Sequence, residues 1–143
     1  MGMSRIFLDS NLFIYHLEDL GPRGERANFI FERPFQRKDT ILTSTLTLGE
    51  VLVKPIQMGN RAMEAKYREL LREPEVNVLS FDRAAGEAFA RIRRERTIKA
   101  PDAIQLATAA SAGCDLFITN DDRLTEAHVP GIQFIVSMER APV

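Results

Sequence analysis

At 143 residues, with 45% apolar and 27% charged side chains, the chain has ordinary globular composition, neither disordered nor fibrous. Nineteen Lys and Arg against twenty Asp and Glu leave a net charge of −1, so any nucleic-acid contact must come from a local patch. One cysteine, Cys114, excludes a disulfide framework and a cysteine-rich zinc site and fits a reducing cytosol.

The N-terminal residues hold no apolar signal core, because Arg5 is followed by only Ile6, Phe7 and Leu8 before Asp9. Ile6 stands where a myristoylation motif needs Ser or Thr, and Met3 offers an alternative start to Met1. The first strand is predicted over Arg5–Leu8 and a helix over Asn11–Glu18, closed by Gly21-Pro22. A second helix is expected over Pro22–Glu32, with Pro34 stopping it near Arg33. Strand Thr40–Thr43 leads into a helix over Thr45–Met58. Gly59-Asn60 separates this from a fourth helix, Arg61–Arg72, which Pro74 closes. Strand Val76–Leu79 precedes a helix over Arg83–Arg96 with Asp82 as its cap, and Pro101 opens a sixth, Pro101–Ala112, rich in small side chains. Strands Leu116–Ile118 and Gln133–Val136 follow, with a short helical turn after Asp122. The uncharged stretch Ala103 to Cys114 carries Gln105, Thr108 and Ser111 and is far shorter than the roughly 20 apolar residues of a membrane span. Short apolar runs alternating with longer helical patterns predict an α/β fold on a parallel sheet, one domain over 1–143, soluble and cytoplasmic.

Open α/β sheets place their sites at the carboxyl ends of the strands. Asp9 ends the first strand, and Thr119, Asn120, Asp121 and Asp122 follow the fourth. Asp102 lies in the first turn of the alanine-rich helix, and Glu50 in the helix after the second strand. Each acid also has a plain structural use: Asp9 and Asp121 or Asp122 as helix caps, Asp102 against a helix dipole, Glu50 in a capping box with Thr47. Glu50 is flanked on its face by Leu46 and Val53, so a buried metal-facing role competes with a surface pair to Lys54. Four converging carboxylates raise one another's pKa, which bound cations relieve. All-oxygen donors select Mg²⁺ or Mn²⁺. His16 and His128 lack ligand spacing and read as surface or packing residues.

Phe7-Leu8-Asp9-Ser10-Asn11, Leu48-Gly49-Glu50-Val51, Pro101-Asp102-Ala103-Ile104-Gln105-Leu106-Ala107 and Phe117-Ile118-Thr119-Asn120-Asp121 resemble, in order and spacing, the PIN domain, with VapC-type toxins of toxin–antitoxin pairs as the nearest subgroup. The resemblance covers Arg5 to about Val136. It implies a three-layer α/β/α sandwich and a Mg²⁺- or Mn²⁺-dependent endoribonuclease. Four acids map onto Asp9, Glu50, Asp102 and Asp121, the last departing from the usual pattern in having Asp122 beside it. Thr119 matches the hydroxyl that orients the site, and Asn11 the polar residue after the first acid. A cognate antitoxin and a homodimer are implied as partners, with RNA as substrate.

Arg91, Arg93, Arg94, Arg96 and Lys99 place five cations in nine residues just before the Asp102 helix. Fifteen of the nineteen basic residues are arginine, suited to bidentate phosphate contacts. A solvated helix face is the plain alternative to contact with RNA or an acidic antitoxin. A receiver-type signalling domain needs paired acids after strand one and a lysine after strand five; Asp9-Ser10-Asn11 and Ile135-Val136-Ser137-Met138 supply neither. A dehalogenase-like phosphatase needs Asp-x-Asp at Asp9. A non-catalytic PIN scaffold binding RNA or protein is the remaining alternative, against which the four acids argue. The second to fourth helices carry many apolar side chains (Phe29, Ile30, Phe31, Phe35, Ile56, Met58, Met63, Tyr67, Leu70, Leu71), which predicts a surface covered by a second copy or an antitoxin segment.

Overall fold

Alternation along the strands divides the apolar side chains between two cores. In the computed structural model, which describes residues 4–72 and 74–143, β1 (Arg5–Leu8) sends Ile6 and Leu8 to one core and Phe7 to the other. β2 (Thr40–Ser44) divides Ile41 from Leu42, and β4 (Cys114–Thr119) divides Ile118 from Phe117. Strands apolar on both faces demand cover on both faces, as in parallel sheets. β3 (Val76–Leu79) and β5 (Ile132–Ser137) complete a five-stranded sheet in the order β3-β2-β1-β4-β5, with every neighbouring pair parallel. The alternative start at Met3 lies outside the described residues.

Four helices cover the first core: α1 (Ser10–Glu18) through Leu12 and Phe13, α2 (Pro22–Gln36) through Ile30 and Phe31, α3 (Thr45–Gln57) through Val51, and α4 (Arg61–Leu70) through Tyr67. α5 (Arg83–Ile92) and α6 (Ala100–Ala112) cover the second. The small side chains Ala103, Ala107 and Ala109 of α6 are fully buried there, where the Phe7 and Phe117 rings stack at 5.1 Å. The result is the three-layer α/β/α sandwich. Gly131, at φ 102°, passes so close to Ala110 that a Cβ would stand 2.4 Å from its carbonyl oxygen.

Several boundaries differ from those the sequence predicts. α2 runs through Pro34 to Gln36 rather than stopping near Arg33. Pro34 lies in the last turn, so its missing N–H costs one bond to Ile30. Its ring is buried, and the Arg37 and Asp39 amides still bond back to Arg33 and Pro34. α5 ends at Ile92, not Arg96: the amides of Arg94 and Glu95 turn back on Arg91 and Ile92, which lets Ile98 reach the second core. α4 ends at Leu70 instead of Arg72. β4 and β5 are longer than predicted.

Strand order reverses beside β1: the chain moves outward to β2 and β3, then crosses to β4 on the other side. The crevice at the carboxyl ends of β1 and β4 is therefore the switch point at which such sheets bind ligands. The register Leu8↔Ile118 makes Asp9 and Thr119 neighbours, the residues that follow on each strand.

Candidate active site

Asp9 is the first residue beyond β1 and caps α1, its Oδ1 accepting from the Ser10 amide at 2.8 Å. Its Oδ2 accepts from Thr119 Oγ1 at 3.0 Å. Thr119 ends β4 and also accepts the Asp121 amide at 3.1 Å, so one hydroxyl ties the first acid to the loop that carries the fourth. Asp9 is 8% exposed. Burial pushes its carboxyl up to about 6, and the Asp102 and Glu50 charges add to that, against the opposing bonds from Ser10 and Thr119.

The remaining acids reach the same cleft from three other elements. Asp102 sits half-buried in the first turn of α6. Its carboxyl is raised by burial first and then by the charge of Asp121, with Arg123 and Lys99 pulling it down. Glu50 projects from α3 and accepts from Ser10 Oγ at 2.5 Å. Asp121 caps the 3₁₀ turn Asp122–Glu126 and accepts from the Arg123 amide. Asp9, Asn11, Glu50, Asp102, Asp121 and Asp122 all line one cleft of about 390 Å³. Asn11 donates to Asn120 Oδ1 at 3.0 Å and so braces the rim instead of touching Asp9.

Two sequence expectations are corrected. Glu50 is not on a buried apolar face: it is exposed, Val53 beside it is 51% exposed, and among the described residues it makes no ion pair with Lys54. Its capping box with Thr47 is absent too, because Ser44 caps α3 and accepts the Thr47 amide. Among the described residues one acid of the cleft has a cationic partner, for Arg123 binds Asp121 at 3.0 Å. Asp122 is exposed, so the better-engaged candidate for the fourth acid is Asp121.

The sequence reading missed the polar network beneath the cleft. Gln105 on α6 is 2% exposed. Its Nε2 donates toward Thr47 Oγ1 at 2.7 Å and Ser10 Oγ at 3.1 Å and lies 3.4 Å from Asp9 Oδ1, while its Oε1 accepts from Ser44 Oγ. A glutamine set among the apolar residues Ala103, Ile104, Leu106 and Ala107 is the signal that could have found it. A buried amide must be hydrogen-bonded, and its partners here are the starts of α1 and α3. Neither histidine lines the cleft: His16 stacks on Phe31, its Nδ1 2.6 Å from the Asn28 amide, and His128 is exposed elsewhere.

Among the described residues no three acidic, histidine or cysteine side chains close into a ready metal-binding group. The donors around the cleft are nonetheless all oxygen, and two of the acids, Asp9 and Asp102, are held against their own charge. That fits a hard cation bound through one or two carboxylates and several waters, as Mg²⁺ is.

A parallel α/β/α sandwich with a carboxylate-lined cleft at its switch point defines the class of protein. The PIN domain family model matches residues 6–129, and the chain belongs to the PIN domain family. Among solved structures it is similar to a toxin–antitoxin complex from Klebsiella pneumoniae, at 26% identity and TM-score 0.66 over 89% of this chain and 94% of that one. It shares its fold with VapBC-5 of Mycobacterium tuberculosis (23% identity, TM-score 0.63, 94% and 98% covered). The same holds for VapBC2 of Rickettsia felis, solved with a promoter DNA fragment (12%, TM-score 0.69, 93% and 98%). No curated protein matches the chain in sequence.

Proposed function

We propose that this chain is a Mg²⁺- or Mn²⁺-dependent endoribonuclease and the toxin of a toxin–antitoxin pair, folded as one domain over 1–143 and acting in the cytoplasm. The observation that carries this reading is the convergence of Asp9, Glu50, Asp102 and Asp121 on one cleft, with Asp9 buried and, among the described residues, no cation bonded to it. Membership of the PIN family supports nuclease chemistry, and similarity to the Klebsiella complex supports an antitoxin partner. No helix among the described residues is long and apolar enough to cross a membrane. Capping α1 and bonding Thr119 hold Asp9 in place, but a scaffold that only binds RNA gives no reason for burying its charge without a cation, which costs free energy.

Asp9, Glu50, Asp102 and Asp121 would hold the ion. When bound, a divalent ion supplies Lewis-acid charge for phosphodiester hydrolysis. The chain's own part is orientation. Thr119 and the Ser10 amide hold the two Asp9 oxygens, Ser10 Oγ holds Glu50, and Asp102 stands in the first turn of α6. Neither histidine lines the cleft, so no imidazole pair is placed there to drive attack by the RNA's own 2′ hydroxyl. Water is the nucleophile, and the 3′ oxygen leaves.

The test is cleavage of single-stranded or looped RNA by the purified chain with Mn²⁺. Internal cuts bearing 5′-phosphates, abolished by EDTA, are expected. Cleavage that survives EDTA, or cyclic-phosphate products, would overturn the reading.

A further inference from the structure

Two clefts in this molecule are built from neighbouring stretches of chain, Ile98 lining one and Pro101 the other. The connection from α5 to α6 carries Arg93, Arg94, Arg96 and Lys99 in exposed positions, with Arg91 exposed at the end of α5. None of the five joins an ion pair among the described residues. Like charges crowded this way repel one another, and a bound polyanion is what relieves them. Beside this connection lies a second cleft of about 490 Å³, flanked by Arg91, Arg94 and His128. Its apolar floor is formed by Ile92, Ile98 and Val129, all buried. The connection is fixed, because Arg93 donates to the Ile98 carbonyl at 3.0 Å.

The acid cleft lies close along the chain on both sides. Lys99 follows Ile98 of the second cleft and caps the helix whose first turn holds Asp102. Its charge is felt at both Asp102 and Asp121. On the other side, the 3₁₀ turn capped by Asp121 runs directly to His128. An apolar floor accepts the flat face of a base or a sugar, and exposed guanidinium groups accept phosphate.

We infer that the second cleft is a nucleotide subsite, in which Arg91 and Arg94 grip a phosphate of the same RNA strand whose scissile bond lies among the acids. This rests on the ribonuclease reading. RNA suits both clefts better than an acidic protein segment, because carboxylate side chains have no reason to continue into an acid-lined site. Glu95 and Glu126 also border the subsite and weaken its hold on any anion.

Fluorescence anisotropy on the full chain carrying Asp102→Asn, which slows the cutting of bound RNA, provides the test. A single-stranded RNA of about 10 nucleotides should bind more tightly than a dinucleotide. Adding Arg91→Gln with Arg94→Gln should weaken the longer RNA severalfold and leave the dinucleotide unchanged. The slope of log affinity on log salt should become shallower by about 0.7, for the one phosphate of a single strand that the two arginines no longer neutralise. Both arginines are exposed, and circular dichroism checks that the fold survives. Glu126→Gln should act in the opposite sense and tighten the longer RNA. Unchanged affinity and slope in the double variant would overturn the subsite and leave the ribonuclease reading standing. Lost binding of poly-glutamate with RNA affinity intact would give the cleft to an acidic protein and also overturn it. An Asp102→Asn chain that binds no RNA of either length would overturn both.

Discussion

Arg123 grips both carboxylate oxygens of Asp121, Nε to Oδ1 at 3.1 Å and a terminal nitrogen to Oδ2 at 3.0 Å. The fourth acid thus comes with its own cation, while burial raises the first and third, and the charge of Asp102 adds to the rise at Asp9. Asp121 is lowered, chiefly by its bond to Arg123, whereas burial raises Asp9 and Asp102. The acids of one cleft are therefore electrostatically unequal before any ligand arrives.

Removing the guanidinium should expose that inequality. In Arg123→Ala the Asp121 carboxyl should titrate closer to its ordinary value. A depressed carboxyl stabilises the fold above its unfolded pKa and loses that contribution as pH falls through the folded one, so the variant should lose stability mainly above about pH 4. Carbon-detected NMR titration of the Asp121 carboxyl reads the shift; an unmoved curve would mean the pair does not form in solution.

Asp9 works in the reverse direction. With its folded value raised to about 6 from 3.8, the native state binds the extra proton, so metal-free stability falls as pH climbs from 3.8 to 6 and stays reduced above. Asp9→Asn removes that cost. In EDTA at about pH 8 it should be more stable than the parent by roughly 2–3 kcal/mol, with the fall between about pH 4 and 6 abolished. Calorimetric melts across pH measure this directly. Added Mn²⁺ should stabilise the parent and leave the variant nearly unchanged.

Gln105→Leu keeps the volume and removes the amide. Ser44 Oγ loses its acceptor, Thr47 and Ser10 lose a donor, and about 1–3 kcal/mol of stability should go with them. Because Ser10 Oγ also orients Glu50, the rate of RNA cleavage at saturation should fall more than the apparent affinity for RNA. Equal losses in both would mean the network does not align the acids.

Asp102→Asn should leave the fold intact, since asparagine suits a first helical turn equally well. Cleavage should drop about a hundredfold or more, the scale of one electrostatic group removed from a transition state. Gel assays of initial rates with Mn²⁺ decide it, and a loss below about tenfold would place the chemistry elsewhere.

Phe35, Met58 and Ile56 are 70%, 70% and 54% exposed, and Phe29 is 44%. Of the apolar set on α2 to α4, Ile30, Phe31, Tyr67 and Leu71 instead fill the chain's own core. The smaller exposed remainder should still pair copies into a homodimer. Multi-angle light scattering at micromolar concentration should give twice the chain mass, and Phe35→Lys with Met58→Lys should restore the monomer.

The strand cores were legible because parallel strands are apolar on both faces, a pattern visible in Ile6-Phe7-Leu8 and Phe117-Ile118 without any partner. Asp9 at a strand end and Asp102 at a helix start were legible for the same local reason. What lay beyond reach depends on packing between distant segments. The Gln105 bonds to Thr47 and Ser10 join residues 58 and 95 apart. Glu50 misled because its apolar neighbours Leu46 and Val53 suggested burial, whereas α3 turns that edge toward solvent. Pro34 misled because a proline rule knows nothing of how near the helix end it falls.

The bond between Thr119 and Asp9 spans 110 residues, and this has a consequence for synthesis. β1 is the first strand to be made, yet its second neighbour, β4, is made only after α6 has been completed. Until then β1 is an open edge and the cleft has one side. Domains fold as units as they emerge, so a chain halted before Thr119 can carry Asp9, Glu50 and Asp102 and still have no working centre. On the ribonuclease reading, activity therefore waits until β4 has been made.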